Sequence, residues 1–216
     1  MIIDTPGHES FSNLRSRGSS LCDIAILVID LMHGLENQTL ESLELLRKGN
    51  TPFVVALNKI DRCYGWESIY DSPSFTALQR QKSETKHDFD TKFQKVIAEL
   101  NVKGYNADLY WKVEDPDDYI PLVPTSGVTG EGIPDILSLL VKYATTIPRT
   151  VKKIKVKKDK FNCTVMEVKM TEGYGTTIDC ILVDGKIKKE DQIVLLGFKG
   201  PIVTKVKAIL TPHPMK

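Results

Sequence analysis

Three short polar stretches stand directly after apolar runs: DTPGHE (4–9), NKID (58–61) and TSGVTGEG (125–132). Between them they hold the residue types that grip polar or charged ligands. Asp4 and Asp61 are carboxylates, Asn58 and Lys59 are hydrogen-bonding side chains, and His8 can handle protons near neutral pH. Gly7 and Gly127 let a backbone N–H come close to a bound group, because no Cβ stands in the way. Each stretch has an ordinary reading when taken alone. Asp-Thr-Pro-Gly is a common tight turn, a lone histidine is most often structural, and Asn and Asp are turn residues. A Gly-rich turn before a helix is equally common. The His8-Glu9 pair lacks the second histidine of a zincin motif, so no metalloprotease is implied. Their joint placement is what carries weight, because in an open parallel sheet ligands sit beyond the carboxyl ends of the strands.

The elements that must position them are legible in the apolar pattern. Residues 1–3 look like a strand end. Ile24 to Asp30 (IAILVID) is a continuous β-branched-rich run that predicts a strand buried on both faces. Asn37 to Lys48 places Leu40, Leu43 and Leu46 at helical spacing and is followed by Gly49, a candidate C-cap. Thr51 to Leu57 predicts a second buried strand, and Arg62 to Glu84 a polar, irregular insertion. Thr85 to Leu100 carries Phe89, Phe93, Val96 and Leu100 on one helical face. A polar stretch, Tyr105 to Tyr119, precedes a short strand at Ile120 to Val123, and Ile133 to Tyr143 predicts a last amphipathic helix. Alternating strands and helices of this kind make a doubly wound parallel sheet. Beyond Arg149 the pattern changes to short strands separated by Gly turns, including Asp184-Gly185, which predicts an antiparallel barrel that 216 residues leave short of closure.

Composition excludes little but bounds the rest. Hydrophobic content of 41% with 26% charged residues is ordinary for a globular protein, and a net charge of +1 makes no whole-chain case for nucleic-acid partners. Cys22, Cys63, Cys163 and Cys180 are scattered without C-x-x-C spacing, which argues against zinc or a disulfide framework and for a reducing, cytoplasmic location. No apolar run is long enough to span a bilayer, so no membrane partner is expected.

With its three motifs in order, the sequence resembles the translational GTPases, and more closely the initiation factor 5B and initiation factor 2 family. DTPGHE is similar to that family's D-x-P-G-H switch, NKID to its N-K-x-D base-recognition motif, and TSGVTGEG to its third nucleotide loop, usually written S-A-x. The likeness extends through EVKMTEGYGTTIDCIL and GPIVTKVKAIL near the end of the chain. It implies an α/β fold, with a truncated P-loop GTPase-type parallel sheet over 1–150 followed by a partial antiparallel β-barrel over 151–216. It implies GTP/GDP and Mg²⁺ as cofactors. Asp61 would accept from guanine N1–H and the 2-amino group together, Asn58 would meet the purine N7, and the Lys59 stem would lie along the base. Ser126 and Gly127 would present a backbone N–H to the guanine 6-oxygen. Asp4 would hold Mg²⁺ through a water, Gly7 would approach the γ-phosphate, and His8 would position the attacking water as the catalytic residue. Subunit joining on the ribosome is the implied function, with ribosomal subunits, their RNA and other initiation factors as partners. An organellar or bacterial-type initiation factor 2, or a non-catalytic ribosome-docking module, are the alternatives.

One departure from the family pattern concerns the phosphates. No G-x-x-x-x-G-K-[ST] occurs in the 216 residues, nor does the switch threonine expected before DTPGHE. The expectation is therefore a fragment that keeps its guanine readers, lacks its phosphate grip and does not hydrolyse GTP alone. Such a fragment would also expose a sheet edge, inviting artefactual self-association. The lysine run 152–160 reads as a solvated linker and edge strand rather than an RNA contact, and Tyr105, Tyr110, Trp111 and Tyr119 as local packing of a long loop rather than a partner patch.

Overall fold

The computed structural model describes residues 2–5, 7, 15–16, 18, 21–115, 118–148, 151 and 161–211. His8 and the lysine run 152–160 lie outside the described residues. The chain divides into two compact units, Met1–Lys155 and Val156–Lys216.

Four parallel strands form the sheet of the first unit: β1 (Ala25–Asp30), β2 (Phe53–Asn58), β3 (Ala107–Leu109) and β4 (Ile120–Pro124), in the spatial order β1-β2-β4-β3. The helices whose bounds are described include α1 (Asn37–Lys48), α2 (Ser74–Arg80), α3 (Ser83–Val102) and α4 (Ile133–Thr146). One face of the sheet carries Leu27, Ile29, Val55, Leu57, Leu109 and Leu122 into a core with Leu43 and Leu46 of α1 and Phe89, Phe93, Val96 and Leu100 of α3. The spacing of the last four places them on one side of α3. Burying each such side chain contributes about 1.5–3 kcal/mol. On the opposite face Val54, Ala56 and Val123 pack with Ile136 and Tyr143 of α4 and with Ile147.

Several expectations are revised. β1 is not buried on both faces: Leu27 and Ile29 point into the core, whereas Ile26 and Val28 remain 45% and 56% exposed. The physical reason is the position of α4, which packs over β2 on that face. Ile2 to Asp4 form no strand, and Ile2 is almost fully exposed, so this segment lacks the burial and ladder partner a strand needs. Within the stretch expected to be irregular, Ser74–Arg80 is helical, and α3 begins at Ser83 rather than Thr85. Asp135 of α4 organises this segment by accepting from both the N–H (2.7 Å) and the Oγ (3.0 Å) of Ser74 at the start of α2, and from the Tyr110 hydroxyl at 2.7 Å. A short strand, β3, also forms in the stretch expected to be loop, because Ala107 and Leu109 turn inward beside β4. Gly49 does follow α1, but with φ −77°; Asn50 takes the left-handed position at φ +46°, and Thr51 N–H closes on Leu46 O at 3.0 Å.

The second unit contains two antiparallel pairs: β5 (Asn162–Thr171) with β6 (Gly175–Asp184), and β7 (Gln192–Gly197) with β8 (Gly200–Lys205). Gly185 has φ +97°, the left-handed conformation that its Asp-Gly turn predicted. No closed barrel forms among the described residues, since each pair is a separate two-stranded sheet.

Candidate functional site

The six-residue parallel ladder of β1 and β2 ends with Asp30 opposite Asn58, so two polar side chains arrive together at the carboxyl edge of the sheet. Immediately after, the chain turns sharply through Lys59, whose φ of +71° is left-handed, into a short 3₁₀ turn over Ile60–Arg62. Such a conformation costs an L-residue about 1–2 kcal/mol and persists only where the surroundings hold it. Three contacts do so. Ile60 is fully buried, its N–H donates to Thr125 O at 3.2 Å, and Lys59 Nζ donates to Asp30 Oδ2 at 2.7 Å.

Asp30 is the electrostatic anchor of the turn. Its Oδ2 also lies 2.8 Å from His33 Nδ1, and its Oδ1 accepts the Met32 N–H at 2.8 Å. Burial works against its ionisation, but the hydrogen bonds from Lys59, His33 and Met32 outweigh that and hold the carboxyl at about 2. Asp61, half-buried on the same turn, differs: no described side chain or backbone group hydrogen-bonds its carboxylate.

The 125–132 loop completes the edge. Thr125 N–H donates to Leu57 O at 2.7 Å, extending the β2–β4 pairing to the turn. Ser126 is buried, and its Oγ accepts from the Val128 and Thr129 N–H groups, each at 3.2 Å. The Ser126 N–H is itself committed to Glu131 O at 3.0 Å. Gly127 is exposed, and its N–H donates to Asn58 Oδ1 at 3.0 Å. The NKID and TSGVTGEG stretches are therefore one hydrogen-bonded assembly. Gly130 and Gly132 are required by shape, with φ of +77° and +75°; a Cβ on Gly132 would fall 2.0 Å from Pro124 O.

Asn58, Lys59, Asp61, Ser126 and Gly127 are thus brought together. Asp4 and Gly7 are both exposed, and no described hydrogen bond joins either to this assembly. His8 lies outside the described residues. Two contributors escaped the sequence reading. Asp30 closes the run IAILVID, and a carboxylate at the carboxyl end of a buried strand was the available signal. Glu131, fully buried between two glycines, had none beyond its improbable charge in a tight loop.

A family model described as the elongation factor Tu GTP binding domain matches residues 1–146. The chain belongs to the elongation factor Tu GTP-binding domain family. Its sequence is 53% identical over all 216 residues to eukaryotic translation initiation factor 5B of Schizosaccharomyces pombe, of which it spans 20%. It is 43% identical to a probable translation initiation factor IF-2 of Haloarcula marismortui, again over all 216 residues, spanning 36% of that protein. Among solved structures, GDP-bound aIF5B from Aeropyrum pernix superposes with a TM-score of 0.88 at 41% identity, over 99% of this chain and 35% of that one. The chain therefore spans about a fifth to about a third of the length of these relatives. Translation elongation factor SelB from Methanococcus maripaludis, in its apo form, shares the fold with a TM-score of 0.59 at 16% identity.

Proposed function

We propose that the carboxyl edge of the β1-β2-β4 sheet binds the guanine base of GTP or GDP, within a GTP-dependent translation initiation factor that promotes ribosomal subunit joining. The observation that carries this reading is the contrast among the NKID side chains. Lys59 is held by Asp30, and Asn58 Oδ1 by the Gly127 N–H. Asp61 alone offers a carboxylate that no described protein group satisfies, and a half-buried acceptor of that kind fits a ligand with two adjacent donors. Guanine supplies that pair in N1–H and the 2-amino group, whereas adenine does not. Asn58 keeps its amide NH₂ for the purine N7, and the Lys59 stem lies along the base. The Ser126 N–H is buried on Glu131 O and the Gly127 N–H is exposed on Asn58 Oδ1, so Gly127 is the donor that reaches the 6-oxygen, by sharing or exchanging its Asn58 bond.

The residues present fit the base end of the nucleotide better than its phosphate end. At the latter we infer roles for Asp4 as holder of Mg²⁺ through a water, for Gly7 as a backbone donor to the γ-phosphate, and for His8 as the residue that positions the attacking water. These 216 residues contain no G-x-x-x-x-G-K-[ST], so on their own they bind GTP weakly and do not hydrolyse it. Within a full-length factor, residues 1–150 act as the nucleotide-binding domain and 151–216 as part of a barrel domain. The ribosome, its RNA and other initiation factors are the partners, in the cytoplasm. The exposed Ile26 and Val28 on edge strand β1 support self-association of the isolated chain as a side effect.

The test is competition binding with a full-length factor carrying these residues, labelled with a fluorescent GDP analogue. GDP should compete at least tenfold better than ADP, the order expected when the half-buried Asp61 carboxylate loses both donors. Equal competition by ADP removes the guanine assignment and leaves a docking module.

A further inference from the structure

Glu131 is 0% exposed, yet it carries a carboxylate with no described basic side chain hydrogen-bonded to it. Neutral donors satisfy it instead. Oε1 accepts the Ile69 N–H at 2.9 Å, and Trp66 Nε1 lies 3.2 Å from Oε1 and 3.3 Å from Oε2. Thr129 Oγ1 donates to Oε2 at 2.6 Å. Burying a carboxyl group is costly unless its oxygens are hydrogen-bonded, and here neutral donors from two separate segments supply those bonds.

The carboxylate thereby joins those two segments. Trp66 and Ile69 lie just beyond the NKID turn, while Thr129 and Glu131 belong to the 125–132 loop. Two backbone bonds run alongside, from Asp71 N–H to Thr129 O at 3.0 Å and from Gly132 N–H to Ser72 O at 2.9 Å. A closed ring results. From Asp61 the chain runs through Cys63, whose N–H donates to Ile60 O, to Trp66, whose N–H donates to Cys63 O. Trp66 meets Glu131, Glu131 O accepts from Ser126 N–H, and Gly127 N–H returns to Asn58. Glu131 is the side chain of the 125–132 loop that binds the 66–69 stretch twice, through Trp66 and Ile69, while also holding Thr129 of its own loop. Resting on the base-binding role proposed above, we infer that Glu131 is a positioning residue that fixes the distance between the Asp61 carboxylate and the Gly127 amide. Guanine is read from its two sides by those groups, so the fit depends on their spacing.

Base selectivity is the readout that a merely structural role would leave unmoved. Glu131→Ala and Glu131→Gln are compared with the parent full-length factor by GDP, IDP and ADP competition, alongside thermal unfolding. IDP lacks the 2-amino group, so the GDP-to-IDP ratio reports how well Asp61 is placed. Glu131→Ala strands the Trp66 and Ile69 donors, and should weaken GDP by about tenfold and lower the GDP-to-IDP ratio. Glu131→Gln keeps one acceptor oxygen, and Thr129 Oγ1 can reverse to accept from its NH₂, so it should stay within about threefold of the parent. Should Glu131→Ala fail to fold, Trp66→Phe, which keeps an aromatic ring but removes the indole donor, must lower the same ratio. A folded Glu131→Ala or Trp66→Phe with parental GDP affinity and GDP-to-IDP ratio overturns the positioning role. A parent that does not distinguish GDP from ADP overturns the base site itself, and this role with it.

Discussion

Gly132→Ala sets the geometry of the 125–132 loop against its composition. An ideal Cβ at Gly132 falls 2.0 Å from Pro124 O and 2.9 Å from Thr125 Cγ2, on a backbone with φ of +75°. The left-handed conformation costs an alanine about 1–2 kcal/mol. The overlap is with a backbone carbonyl at the end of β4, where Pro124 is the ladder partner of Leu57. That carbonyl cannot step aside without disturbing the sheet, and overpacking of this kind costs about 1–3 kcal/mol more. The sum, on the order of 2–5 kcal/mol, is a large share of a typical domain's stability. Gly127→Ala is the internal control. Its backbone is not left-handed, and its Cβ would meet only the Asn58 amide at 3.9 Å, an ordinary contact. The expected change is within about 0.5 kcal/mol. Urea unfolding followed by far-UV circular dichroism measures both. If Gly132→Ala unfolds at the parental midpoint, or Gly127→Ala proves the more damaging of the two, the loop is not closed as described.

Two further outcomes follow from the site. Asp30 sits at about 2 in the folded protein against an ordinary 3.8, so its folded value is depressed. Its contribution is then fully present above pH 3.8 and lost as pH falls through about 2. The fall from 3.8 to about 2 corresponds to roughly 2 kcal/mol, discounted here to about 1–2 because Lys59 is partly exposed. Asp30→Asn should therefore destabilise at pH 7 and much less at pH 2.5 in urea titrations; an equal loss at both pH values contradicts the ion-pair account. Separately, the isolated 216-residue polypeptide should bind a fluorescent GTP analogue far more weakly than a full-length factor, because a phosphate-cradling loop supplies much of the affinity for so charged a ligand. Sub-micromolar binding by the 216 residues alone would contradict that expectation.

What could be foreseen follows from where local pattern and tertiary placement agree. The run TPFVVAL had to be a strand, and the 3.6-residue recurrence of Phe89, Phe93, Val96 and Leu100 had to be a helix buried along that side. Neither depends on distant partners. β1 was misjudged on one face because periodicity reports hydrophobicity, not what lies above it; Ile26 and Val28 are as apolar as Leu27 and Ile29. The helix at Ser74–Arg80 was invisible for the opposite reason. Its anchor is Asp135, 61 residues away, and a polar hydrogen bond of that span leaves no local signature. At the site, NKID and TSGVTGEG were legible as motifs, but their direct link through Asn58 and Gly127 was not. Glu131 was the furthest from view, since a charged residue between glycines ordinarily marks an exposed turn.

Base preference in an Asp61→Asn variant of the full-length factor tests the central claim most directly. The carboxylate of Asp61 can accept from N1–H and the 2-amino group of guanine together. An asparagine amide facing guanine satisfies only one of them, and a buried unpaired donor costs about 1–3 kcal/mol, roughly tenfold to a hundredfold in affinity. Xanthine keeps N1–H but places a carbonyl where guanine has its amino group. The asparagine can then offer its NH₂ to that carbonyl and its oxygen to N1–H. In competition binding the variant should lose GTP and gain XTP, each by about tenfold or more. A variant that keeps the parental preference for GTP over XTP would show that Asp61 does not read the base, and the site proposed at the end of β2 would not stand.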